Sequence, residues 1–373
     1  MPLYKNDWNK AKQNLLAFWK GEDIGRPCML VYAPREGCNI VFPELHNGPW
    51  TWGTESLEDA EDIKQWWMDP LQNYQRMVYW FENTYFGGEA VPATYTNWGA
   101  SAAAAFFGSE PKFNKTSVWY SEVISDWEQW QWQFDKDSNE WWQAIYEIID
   151  YLNKRAEGKY FVGMPEFGNA MDNLSLMRGM DKLALDCMEE PEAIQAGIAF
   201  MDKYWCELHE ELFNLTKETN DGGGVLPWMG LWAPGRIDQL ACDFSTILSP
   251  TMFKEVCVPD IEQMGAWTEY GMYHLDGPAC MHNHLDSLLE IECIKAIEFT
   301  PGAGSPPTLS PEYIPLYKKV LESGKKLYLL AEPEEVQPLC EALPSTGLML
   351  CTRADSQRQA DEMIENTYNW SKK

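Results

Sequence analysis

The chain has 373 residues, 45% of them hydrophobic and 14% aromatic, enough to bury the core of one large domain or of two ordinary ones. Its 57 acidic and 29 basic side chains leave a net charge of −28, which argues against nucleic acid or an anionic membrane as partner, since both demand a cationic face. No apolar run reaches the ~18 residues of a membrane span, no basic and apolar leader opens the chain, and none of the 10 cysteines forms a C-x-x-C pair, so a reduced cytoplasmic protein is expected.

Residues 5–20 carry apolar positions at helical spacing and stop at Gly21; P-C-M-L-V-Y (27–32) then reads as a short buried strand. Residues 56–83 look helical, and a second strand is expected near 90–96. Residues 97–135 read as an elaborated loop or short ribbon over a pocket: N-W-G-A-S-A-A-A-A-F-F-G is small and apolar, and W-E-Q-W-Q-W-Q-F-D alternates with period two.

From 137 the rhythm is regular. A helix over 138–156 precedes strand K-Y-F-V-G-M (159–164), and helices follow over 171–188 and 190–218. G-V-L-P-W-M-G-L-W (224–232) reads as a strand and turn, and Ser249-Pro250 as the N-cap and first position of a helix. Strand M-Y-H-L (272–275), a helix over 283–290, strand I-K-A-I-E-F (294–299), a helix over 311–323, strand K-K-L-Y-L-L-A-E (325–332), a helix over 334–342, strand G-L-M-L-C-T (347–352) and a last helix over 355–370 complete the order. Eight strand positions, near 28, 91, 160, 225, 273, 295, 327 and 348, alternate with helices, and the expected fold is one α/β domain over 1–373, a (β/α)8 TIM-type barrel with an elaborated N-terminal half. No G-x-G-x-x-G follows the first strand and no Walker lysine loop is present, so an open nucleotide-binding sheet lacks its usual support.

In a barrel the chemistry sits where strands end. Glu166 follows the 160 strand; Trp228, Trp232 and Arg236 follow the 225 strand; His274 and Asp276 end the 273 strand; Glu298 lies within the 295 strand; Glu332 and Cys351 end the last two. His274 and Asp276 stand two apart on a strand and share a face, so both can address one ion, with Cys351 joining from another strand end. Cys280, His282 and His284 form a rival compact cluster, but it lies past the strand, and residues two apart on a helix point in different directions.

The stretches D-F-S-T-I-L-S-P-T-M-F-K-E-V (243–256), Y-H-L-D-G (273–277) and G-K-K-L-Y-L-L-A-E-P-E-E-V (324–336) resemble the uroporphyrinogen decarboxylase-like superfamily. Its zinc methyltransferases carry H-x-C-G at one strand end and a distal Cys near the last strand. Here H-L-D-G (274–277) matches with Asp at the cysteine position, and Cys351 falls where the distal Cys is expected. The decarboxylase branch fits less well: its R-Q-A-G-R-Y loop is replaced by R-P-C-M-L-V-Y-A-P-R-E-G (26–37).

The resemblance implies Zn²⁺ held by His274, Asp276 and Cys351, with Glu332 ahead of Asp243 or water as the fourth group. Catalytic carboxylates are expected among Glu332, Glu166 and Asp243, and the aromatic density of 97–142 with the strand-end position of 228 and 232 predicts a pocket walled by Trp98, Trp119, Trp130, Trp228 and Trp232, with Arg236 beside it. With Asp replacing Cys the donor set suits an oxygen or nitrogen leaving group. The expected activity is transfer of a methyl group from a small O- or N-methylated substrate to a corrinoid protein or folate. A metal-dependent lyase, isomerase or hydrolase acting on a sugar-like or carboxylated molecule is the alternative. A corrinoid carried by a partner protein and a homodimeric assembly complete the expected partners.

Overall fold

A computed structural model describes residues 2–38, 62–115 and 117–372. Each strand is short and apolar, and most are followed by a helix. The strands are β1 (Cys28–Pro34), β2 (Thr84–Gly88), β3 (Ala93–Thr94), β4 (Pro111–Phe113), β5 (Val118–Tyr120), β6 (Phe161–Val162), β7 (Gly224–Leu226), β8 (Leu231–Ala233), β9 (Ile237–Ala241), β10 (Tyr270–Asp276), β11 (Ile294–Thr300), β12 (Lys326–Leu330) and β13 (Leu348–Arg353). Seven form the central sheet in the order β2-β1-β13-β12-β11-β10-β9, parallel throughout except for antiparallel β1–β2.

Strand segments stand at all eight expected positions, yet no continuous ladder closes them into a barrel among the described residues. Two features interrupt it. β2 runs antiparallel on the free side of β1, and the chain after β7 turns back as the hairpin β7–β8 before β9 rises beside β10. Between these ends lies a partial ladder: Phe161 N donates to Pro92 O, Gly163 N to Thr94 O, and Met164 N to Val225 O at 3.1 Å.

The helices stop where backbone chemistry dictates. Gly21 ends helix Trp8–Lys20 in the left-handed conformation, at φ 74°. The helix expected over 171–188 is two, Ala170–Arg178 and Met180–Glu189, because Gly179 adopts φ 92°, which a side chain resists. The one expected over 56–83 breaks at Asp69-Pro70 into Ile63–Met68 and Pro70–Asn83; its part before residue 62 lies outside the described residues. Ser249 caps its helix through Met252 N, as its sequence position implies. The 97–135 region holds the antiparallel ribbon β4–β5. Among the described residues no helix is long and apolar enough to cross a membrane.

Candidate active site

The parallel register builds the site. His274 on β10 pairs with Glu298 on β11, and Glu298 with Tyr328 on β12. One step further along, Asp276 pairs with Thr300, and Leu330 with Cys351. Paired residues point the same way, so these side chains share the inner face of the sheet at its C-terminal end.

His274 is 9% exposed, and its Nδ1 meets Glu298 Oε2 directly, while the other Glu298 oxygen accepts from Thr300 Oγ1 at 2.6 Å. Burial opposes charge on the imidazole, but the Glu298 carboxylate, with Asp243 and Asp276 behind it, outweighs burial and lifts its pKa to about 10. The ring of Trp228 stands edge-on to His274, with centroids 4.7 Å apart. Glu166 lies within the same field. Burial, with a contribution from Asp243, raises its pKa to about 7 against the pull of a 3.0 Å hydrogen bond from Tyr95 and the charge of His274. Burial likewise raises Asp276, and Asp243 and Glu298 add to the shift, although His274 pulls it down.

A cavity of 490 Å³ adjoins this group, walled by Pro301, Pro306, Pro307, Leu309 and Leu330, with Thr300 and Glu332 among its polar lining. A Cβ placed on Gly302 would come within 3.7 Å of Asp276 Oδ1, so Asp276 borders the same loop.

The predicted residues fall into two groups. His274, Asp276, Glu166 and Asp243 come together. Glu332 stands at the end of β12, ion-paired with Arg353 at 3.0 Å. Cys351 is fully buried, and burial together with Glu298 pushes its thiol up to about 12 despite a hydrogen bond with Tyr328. Three ladder steps of about 4.8 Å separate its strand from that of His274, and the His274 row runs through Glu298 and Tyr328 to Met349, two residues before Cys351.

Zinc therefore does not fit these residues as arranged. Tyr328 engages the Cys351 thiol, Arg353 engages Glu332, and among the described residues no three His, Cys, Asp or Glu groups converge on one point; the Glu298 contact at Nδ1 of His274 does not bear on this, since a carboxylate also stands behind a metal-bound imidazole. The compact rival does not converge either. Its residues lie within helix Gly277–Glu290, which starts earlier than expected, with exposed His282 turned away from buried His284. His284 stacks on Phe253 and pairs with Ser245 O at 3.0 Å.

The aromatic and arginine expectations need correction. Trp98 and Trp232 are 1% and 0% exposed core residues; Trp98 packs on Phe113 and Trp141, and Trp232 on Trp8. Trp119 is 59% exposed on the ribbon, and Trp130 lines a separate groove with residues 105–108. Only Trp228 of the five is placed against His274. The β7–β8 hairpin explains Trp232 and Arg236: the chain reverses after Trp228 and carries both to the other end of the sheet. There Arg236, just before β9, lies near Glu210 and Glu269 at 3.6 Å. Sequence reasoning missed Tyr95 and Tyr328, whose only signal was a strand position, and the role of Glu298, which needs the register.

No family model matches the chain, and no curated protein matches it in sequence. In three dimensions it is similar to a methyltransferase from Methanosarcina mazei, with a TM-score of 0.62 and 11% identity over 96% of this chain and 98% of that one. At that identity the likeness defines the fold: a mixed α/β domain of the kind that methyltransferase adopts.

Proposed function

We propose that this chain is a demethylating methyltransferase of the uroporphyrinogen decarboxylase-like class, and that β3, β6 and β7 complete a distorted eight-stranded barrel. Its substrate is a small O- or N-methylated molecule bound over Trp228. The observation that carries the reading is Glu166, a carboxyl poised at a pKa of about 7 beside the His274–Glu298 pair.

When the methyl group leaves, the electron pair of the broken bond stays on the oxygen or nitrogen, and that atom needs a proton. Glu166 in its acid form supplies it, with Tyr95 fixing the carboxyl and the His274 imidazolium stabilising the carboxylate left behind. The methyl passes to a strong nucleophile, a corrinoid on a partner protein or a folate. Zinc is given no step, because the donors do not converge. The fold likeness to a methyltransferase and the strand-end position of the acidic groups support this reading.

The alternative of a lyase, isomerase or hydrolase draws on the same carboxylates, Glu166, Asp243 and Asp276. The test incubates the protein with methoxylated and methylated-amine compounds and cob(I)alamin as acceptor. Methylcobalamin formation, read by its spectrum, is expected. Conversion of a donor without methylation of the acceptor would establish the alternative.

A further inference from the structure

The W-Q-W-Q-F segment borders a groove that shares no lining residue with the cavity beside Thr300 and Glu332. Residues 129–131, 133–135, 138–141 and 105–108 line this open groove of 880 Å³, within the range of about 300–1,000 Å³ typical of small-molecule sites. The period-two alternation sorts the side chains. Trp130, Trp132 and Phe134 turn partly inward, with Trp130 against Trp132 and Phe134 against Phe107, while Gln129, Gln131 and Gln133 are exposed.

Most polar groups of the groove are already engaged. Gln129 donates to Asp126, Ser138 to Asp135, and Asn139 to Phe106 O. Gln131 and Gln133 are not: among the described residues their amides make no hydrogen bond, and neither does the backbone of residues 131–134. A solvated loop can leave such groups to water. Here, however, the free amides and the half-buried Trp130 and Phe134 line one concave surface.

Among the described residues no Lys or Arg lines the groove, so an anionic ligand finds no counter-charge there. A carboxamide presents a donor and an acceptor side by side, which suits neighbouring hydroxyls, and an indole face suits the C–H face of a pyranose ring. We propose that this groove is a binding site for a neutral oligosaccharide, separate from the His274–Glu166 site and independent of the reaction proposed there. An extended peptide pairing with the backbone of 131–134 fits less well, because recognition of that kind needs pockets for alternate side chains and the exposed positions here are glutamines.

The test is calorimetric titration of the full chain with maltotriose, cellotriose and xylotriose, with amide hydrogen exchange on the same samples. At least one trisaccharide is expected to bind saturably and to slow exchange across 129–141. The exposed double variant Gln131→Ala/Gln133→Ala is expected to weaken that binding about tenfold or more with its thermal unfolding unchanged, and Glu166→Gln to leave it intact. Absence of binding by all three sugars overturns the proposal, as does equal binding by the double variant. Protection of 131–134 by an alternating Thr-Val octapeptide, with none by the sugars, makes the segment a strand-pairing edge and equally overturns it.

Discussion

His274 and Glu298 stand directly opposite each other on neighbouring parallel strands and are joined through the imidazole Nδ1. This register converts a buried histidine into a cation that stays charged well above neutrality. Replacing Glu298 with Gln removes the charge and keeps the shape. The His274 imidazole, followed by NMR and assigned by single substitution among the 5 histidines, is expected to titrate several units below its parent pKa of about 10. An unchanged titration would mean that the pair does not control the ring.

Trp228 and Trp232 lie four positions apart and are expected to respond oppositely. Trp232 is 0% exposed and donates to Asn220 O, so Trp232→Ala should lower folding stability by about 3–5 kcal/mol in urea unfolding. Trp228 is half-buried against His274, so Trp228→Ala should leave the unfolding midpoint nearly in place and raise KM. Equal losses of stability would place Trp228 in the core.

Asp202 and Asp260 form a buried carboxyl pair, 1% and 0% exposed, in which Asp260 also accepts from Met171 N. Burial first, and then the charge of Asp260, raises the pKa of Asp202, so the pair keeps a proton through neutral pH. The native state then holds a proton that the unfolded chain releases near pH ~4. Stability from this pair is full below that pH and declines as pH rises through neutrality. Asp202→Asn mimics the protonated form. Its melting temperature should gain on the parent at pH 8 and lose that gain by pH 5; parallel curves would contradict the shared proton.

The Cys351 thiol is committed to Tyr328 inside the sheet. Cys351→Ser should leave the metal content of purified protein unchanged by mass spectrometry, and a stoichiometric loss of zinc would restore the three-ligand site that the sequence suggests.

Much of the fold was legible because buried parallel strands read as short apolar runs bounded by glycine, as at 27–32 and 347–352. That His274 and Asp276 share a face followed from strand periodicity. What lay between strands was not legible. That Glu298 faces His274, and that Tyr328 stands on the path to Cys351, are facts of register, which one strand does not carry. Residues 224–232 read as one strand and a turn. Gly230, at φ 62°, makes them a hairpin instead, and Trp232 and Arg236 change ends.

The central claim is that Glu166 donates the proton as the methyl group leaves, and single-turnover methyl transfer to cob(I)alamin measured against pH tests it most directly. The parent rate should be flat below pH 7 and fall tenfold per unit above it, because only the acid form of a carboxyl with a pKa of about 7 can donate. Glu166→Gln should be about 10²- to 10⁴-fold slower and lose that limb. A Glu166→Gln variant with the parent's rate and the same fall above pH 7 would contradict the account.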